Sequence, residues 1–346
     1  VMLSGNDLAR AYYGDVVGPL LAEQWPHLSH AAARLGSGSD VLGLDDDMSR
    51  DHDWGLRLTL LVEADAVTAV RDYLAAALPS EYRGLPTRFG TTWHPDTAHQ
   101  VEVASVADFA FSRLGVDATR TLSRIEWLSL TGQAVLEVTA GPVFVDTTGE
   151  LTLLRERLSW YPDDLWRYLL ATDWARIGQE LPFVGRTGSR GDDVGSRLIA
   201  GRIAHAAMHL AFLLERRWPP YSKWLGSLFT ALPQAGAAAP ALNRALTAET
   251  WQEREAALSE ALSVLHDLQR SIGLPGVDRV VAPFYDRPFL GLGQVPEAVL
   301  DSITDPAVRA LPAGVGSIEQ VSDNVDVLTS PERRLAMITA LIFRAD

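Results

Sequence analysis

Residues 36–55 read GSGSDVLGLDDDMSRDHDWG. A short apolar run, 31–35, stops at Gly36, and a β-like run, 56–62, starts just after Gly55. Between two strands, this stretch combines small residues with closely spaced carboxylates. Residues two apart on a strand point the same way, so Asp51 and Asp53 are expected to share one face. Such a pair of hard oxygen ligands suits magnesium, which takes one or two carboxylates together with substrate phosphates. Gly36, Ser37, Gly38 and Ser39 are small enough for backbone amides to approach phosphate oxygens. Taken singly, Gly-Ser-Gly-Ser also fits a flexible turn, and Asp-x-Asp also fits a solvated loop. A calcium loop of the EF-hand type is excluded. Counted from Asp51, its obligatory Gly and Glu would fall on Leu56 and Val62.

Together the pieces resemble the nucleotidyltransferase superfamily typified by DNA polymerase beta. Gly38-Ser39 is followed by eleven residues and then Asp51-His52-Asp53. Val101-Glu102-Val103 is similar to the Leu-Glu-Val strand that carries a third carboxylate in aminoglycoside nucleotidyltransferases. The likeness is best over residues 30–106. It implies that Asp51, Asp53 and Glu102 hold Mg2+ or, for Glu102, accept a proton from the attacking hydroxyl. It also implies that residues 36–39 cradle the phosphates of ATP or another nucleoside triphosphate. His52 departs from the pattern, since that position is usually aliphatic. With Ser49-Arg50 ahead and Trp54-Gly55 behind, the motif resembles a bacterial branch of unknown function. Glu126 and Glu137 also sit among apolar residues, and strand order favours Glu102 over both.

The chain has 346 residues, 47% of them apolar, and no cysteine. That length suggests two domains, each with its own core. The expectation is an α+β protein: a nucleotidyltransferase-type α/β domain with a small mixed sheet over residues 1–150, then a helical bundle over 151–346 that closes the nucleotide cleft. The lack of cysteine excludes disulfides, thiolate metal sites and a cysteine nucleophile. No cationic stretch with an apolar core opens the chain, and no apolar run reaches the length of a membrane span, so a cytoplasmic protein is expected. Residues 1–150 hold 21 acidic and 10 basic side chains, and the net charge of the whole chain is −14. A grip on a long polyanion is therefore disfavoured, although a local basic site for one nucleotide is not. Arginine supplies 29 of the 30 basic residues, and Lys223 is the one lysine.

Along the chain, the spacing predicts helices over 6–24 (capped by Asn6), 66–78 and 108–115, and a strand over 100–106. Long helical patterns follow over 165–181, 193–218 and 247–272, with 232–240 (LPQAGAAAP) as a loop or linker. In the second of these, Leu198, Arg202, His205, His209, Phe212 and Arg216 form one stripe, opposite a core stripe of Ile199, Ile203, Ala206, Leu210 and Leu213. His205 and His209 lack the glutamate of a zincin helix. Arg197 or Arg202 and His205 miss the Arg-to-His spacing of HEPN ribonucleases. Tyr221 and Lys223, after a Pro turn, resemble the element that reaches the triphosphate in antibiotic nucleotidyltransferases. Arg202 and Lys223 are then expected to offset phosphate charge. The function expected is transfer of AMP from ATP to a hydroxyl of a small molecule or protein. The alternative is a non-catalytic nucleotide-binding sensor or antitoxin-like module.

Overall fold

A computed structural model describes residues 3–50, 54–91 and 95–342. The chain is α+β and divides into two compact units. The first comprises residues 1–122 and 134–159, and the second comprises 123–133 and 160–346.

The first unit opens with helices α1 (Gly5–Tyr12) and α2 (Gly18–Gln24), joined by a π-helical turn, Tyr13–Val17. Pro19 explains the turn, since it has no N–H to return to the carbonyl four residues back. The cap of α1 is Ser4, whose hydroxyl accepts from the Asp7 N–H, and not Asn6, which lies inside the helix. The strands are β1 (His30–Ala33), β2 (Arg57–Val62), β3 (Glu81–Tyr82), β4 (Leu85–Pro86), β5 (Arg88–Phe89), β6 (Ala98–Ala104) and β7 (Val143–Asp146). Five of them form a mixed sheet in the order β5-β6-β2-β1-β7. Among the described residues only the β2–β6 pair is parallel. Its strands are joined through α3 (Val67–Ala77), as a parallel pair requires.

Alternation along the strands gives the sheet two unlike faces. Leu58, Leu60 and Val62 of β2, Val101 of β6 and Ala32 of β1 bury one face against Leu8, Tyr12, Val17, Leu21, Val70 and Leu74. The residues between them present Arg57 beside Gln100 and Thr59 beside Glu102 on the other. Two more helices, α4 (Val106–Leu114) and α7 (Glu150–Arg157), belong to this unit. Helix α6 (Gly132–Thr139) carries the chain from the second unit back to the first.

The connection leaving β1 is built around one buried ion pair. Arg34 Nε and Nη2 donate to Asp40 Oδ2 and Oδ1 at 2.7 and 2.8 Å, a bidentate pair. The same guanidinium donates to the carbonyls of Leu35 (2.5 Å) and Ser37 (2.9 Å). Arg34 is 2% exposed, so the pair sits under the loop rather than on it. Gly38 has φ +135°, and a Cβ there would collide with the Asp40 carboxylate. Only glycine fits.

The second unit is helical. It comprises α5 (Arg124–Ser129), α8 (Asp163–Gly188), α9 (Asp193–Leu214), α10 (Ser222–Thr230), α11 (Ala239–Thr247), α12 (Trp251–Ser271) and shorter elements up to residue 342. The 232–240 segment is not a linker. Ala235, Ala238 and Ala241 are buried, because their small side chains let the 3-10 turn Ala235–Ala238 and α11 pack against α12. The long helices α8, α9 and α12 pack on one another around Trp174, whose Nε1 donates to Gln269 Oε1 at 2.7 Å. Helix α9 is also the one described helix long and apolar enough to cross a membrane, and 61% of its apolar stretch is buried inside the protein.

The polar stripe expected on α9 holds only in part. Leu198 and Arg202 are exposed, but His209 and Phe212 are buried. His209 Nδ1 meets Asp173 Oδ2 of α8 at 2.6 Å, and Glu319 Oε2 lies 3.9 Å from Nε2. Glu319 also accepts the Gly132 N–H at 3.0 Å. Burial alone would lower the His209 pKa, but the two carboxylates outweigh it and raise it to about 10.

Two stability predictions follow from these buried charges. Arg34→Met leaves the Asp40 carboxylate buried and uncompensated, so urea unfolding should show a loss of about 3–5 kcal/mol. The double variant Arg34→Met/Asp40→Leu should recover most of it. For His209 the folded pKa lies above the unfolded one. Its contribution is complete below about pH 6.5 and is lost as pH rises through about 10. Urea unfolding of the wild type between pH 7 and 9.5 should show stability falling with pH, and His209→Gln should flatten that slope.

Candidate functional site

The 36–39 loop follows β1 directly and is held at both ends. The Gly36 N–H donates to the Glu137 carbonyl at 2.7 Å, and the Leu35 N–H donates to Thr59 Oγ1 at 3.3 Å. Because the Leu35 and Ser37 carbonyls turn inward to Arg34, the loop presents N–H groups outward. Those of Ser37, Gly38 and Ser39 have no acceptor among the described residues, and Ser37 and Gly38 are exposed. Consecutive outward N–H groups make an anion-binding concavity.

Two further arginines flank this loop. Arg57, at the start of β2, donates from Nη2 to Ser37 Oγ at 3.3 Å. Arg113 of α4 lies near the start of the loop, with Nη2 3.3 Å from the position of a Cβ on Gly36. Arg113 Nη2 also donates to Glu102 Oε2 at 2.7 Å. Glu102 Oε2 is itself 3.9 Å from that Gly36 position. The structure thus brings Gly36, Ser37, Gly38, Ser39 and Glu102 together, and it adds Arg34, Arg57 and Arg113. The sequence did carry a signal for Arg57: it alternates with Thr59 and Leu61 on β2 and therefore faces away from the apolar core. Arg113 had none, since its place depends on how α4 packs.

Of the three acids among apolar residues, Glu102 alone lies on a strand. Glu126 is the third residue of α5 and closes a capping box with Ser123, and Glu137 lies in α6. Asp51, His52 and Asp53 lie outside the described residues. Both flanks of that segment are anchored. Asp46 accepts from the Ser49 N–H at 2.9 Å, a backbone bond that holds its carboxyl below the usual range. On the far side, Trp54 Nε1 donates to Asp45 Oδ2 at 3.4 Å. Among the described residues no three His, Asp or Glu side chains cluster as a metal site. Glu102 nonetheless suits a hard cation, because Oε1 has no partner among the described residues and the side chain is 40% exposed.

In the second unit, Arg202 is exposed on α9 and pairs with Glu180 of α8, Nε to Oε2 at 2.9 Å. Tyr221 precedes α10 and its N–H donates to Gln133 Oε1 at 3.3 Å. Lys223 is exposed, its Nζ 4.8 Å from the Trp224 ring centroid. Arg202 stands twelve residues before the end of α9, roughly 18 Å along the helix axis. It therefore does not belong to the cationic group formed near that helix end by Arg216 and Arg217.

A family model described as "Domain of unknown function (DUF4037)" matches residues 127–225, a segment that runs from α5 to the start of α10. A comparison with curated proteins returns no match. Among solved structures, the chain is similar to the crystal structure of a nucleotidyltransferase-like protein from Exiguobacterium sibiricum 255-15. The identity is 15%, the TM-score is 0.33, and the alignment covers 76% of this chain and 74% of that one.

Proposed function

We propose that the chain is a magnesium-dependent nucleotidyltransferase that moves AMP from ATP onto a hydroxyl of a small molecule or protein. The observation that carries this is the 36–39 loop, with its outward N–H groups, set between Arg57 and the Glu102 carboxylate. Phosphoryl transfer asks a protein mainly for positioning and charge stabilisation, and this loop offers both. Ser37, Gly38 and Ser39 donate to the outer phosphates, and Arg57 offsets their charge. Asp51, Asp53 and Glu102 are the residues that would hold the magnesium. When bound, that ion neutralises phosphate charge and orients the attacking oxygen. In place of holding the metal, Glu102 would accept the proton of the attacking hydroxyl. The strongly acidic first 150 residues favour a cationic acceptor.

The Glu102–Arg113 pair supports a second reading, a nucleotide-binding sensor or antitoxin-like module in which the carboxylate stays committed to the arginine. Purified protein incubated with magnesium and labelled ATP, with and without cell lysate, separates the two. Pyrophosphate release supports transfer, and ATP binding without release supports the sensor.

Under the transferase reading, Asp53→Asn should abolish pyrophosphate release. Its thermal midpoint should be unchanged or higher, since two close carboxylates repel each other without their cation. Glu102→Gln should lower kcat by about 10²- to 10⁴-fold without weakening nucleotide binding, and Glu126→Gln should leave kcat unchanged.

A further inference from the structure

Arg113 stands where the anion loop and the third carboxylate meet. One nitrogen, Nη2, is close to both: it donates to Glu102 Oε2 at 2.7 Å and lies 3.3 Å from the unfilled Cβ position of Gly36. The guanidinium has further contacts on its own helix. Nη1 donates to Ser112 Oγ at 2.6 Å, and the central carbon lies 4.3 Å from the centroid of the buried Phe109 ring. Gly36, with φ +80°, leaves the gap that lets the guanidinium approach the loop. The Arg113 and Glu102 side chains are 20% and 40% exposed, so water screens their attraction. A polyphosphate seated on the N–H groups of residues 37–39 brings several negative charges to the same guanidinium. Its planar fork suits a phosphate at least as well as a carboxylate.

We propose that Arg113 is a positioning residue that couples polyphosphate in the 36–39 loop to release of Glu102. With the loop empty, Arg113 holds the carboxylate. With a polyphosphate present, Arg113 turns to the anion, and Glu102 becomes available to magnesium and to the attacking hydroxyl. The carboxylate is thereby unmasked only when the nucleotide is in place. Each partner weakens the hold of the other on Arg113, so the coupling is reciprocal. This rests on the nucleotidyl-transfer reading above.

Inorganic triphosphate, titrated calorimetrically without metal, reads the coupling apart from catalysis. Wild type, Glu102→Gln, Arg113→Gln and the double variant form the cycle, with circular dichroism confirming that each is folded. Glu102→Gln should bind triphosphate about fivefold or more tightly than wild type, because the charged Glu102 no longer competes with the anion for Arg113. Arg113→Gln should bind more weakly. In the Arg113→Gln background, the gain from Glu102→Gln should fall below about twofold. Arg113→Lys, which keeps the charge without the fork, should fall between wild type and Arg113→Gln, and it replaces Arg113→Gln in the cycle if that variant does not fold. Equal gains from Glu102→Gln in both backgrounds would overturn the coupling while leaving the anion site standing. Absence of triphosphate binding by both wild type and Glu102→Gln would instead remove the nucleotidyl-transfer reading, and the coupling with it.

Discussion

The Arg34–Asp40 ion pair is the constraint on which the rest of the site depends. A backbone loop has carbonyls and N–H groups to dispose of, and which set faces outward is decided by what lies beneath. Here a buried guanidinium draws the Leu35 and Ser37 carbonyls inward, and the neighbouring N–H groups are left to face solvent. A buried ion pair is weak evidence for stability in itself, since its desolvation offsets much of its attraction. Its value in this place is geometric. It shapes a surface lined by N–H groups at the end of β1 while keeping its own charge nearly balanced by Asp40.

That local balance resolves an apparent conflict in the charge distribution. The first 150 residues are strongly acidic and contain no lysine, so they look ill suited to a polyphosphate. Charge at a site is set by neighbours within a few ångströms, however, and Arg34, Arg57 and Arg113 all lie that close to the loop. The surplus of carboxylates acts at longer range. It lowers the approach rate of a free polyanion and favours cations.

Much of the sheet was legible in the sequence because β2 and β6 carry the alternation that a two-faced sheet demands. Gly36 and Gly38 likewise announced a tight loop, and strand order set Glu102 apart from Glu126 and Glu137. The alanine-rich segment at 232–240 was not legible, since small residues and prolines describe a loose linker and a close helix contact equally well. Arg113 and the Asp173–His209–Glu319 group were hidden for another reason. Their partners lie 11, 36 and 110 residues apart in sequence, and only packing brings them together. Residues 6–24 showed helical periodicity, but the π turn follows from one missing N–H at Pro19, which a periodicity count does not see.

The division of the chain bears on how it is made. Strand β1 pairs with β7 through Ala31 and Asp146, and between them the chain contributes residues 123–133 to the other unit. During synthesis the sheet therefore stands with β1 as an open edge until more than a hundred further residues have emerged. An unpaired strand of this kind, His30–Ala33, is a template for association with other chains. A fragment ended near residue 122 would carry the whole 36–39 loop and Glu102 but would keep that edge permanently exposed. Neither unit can be excised by a single cut, and shortened versions of the protein need their ends placed beyond Asp146.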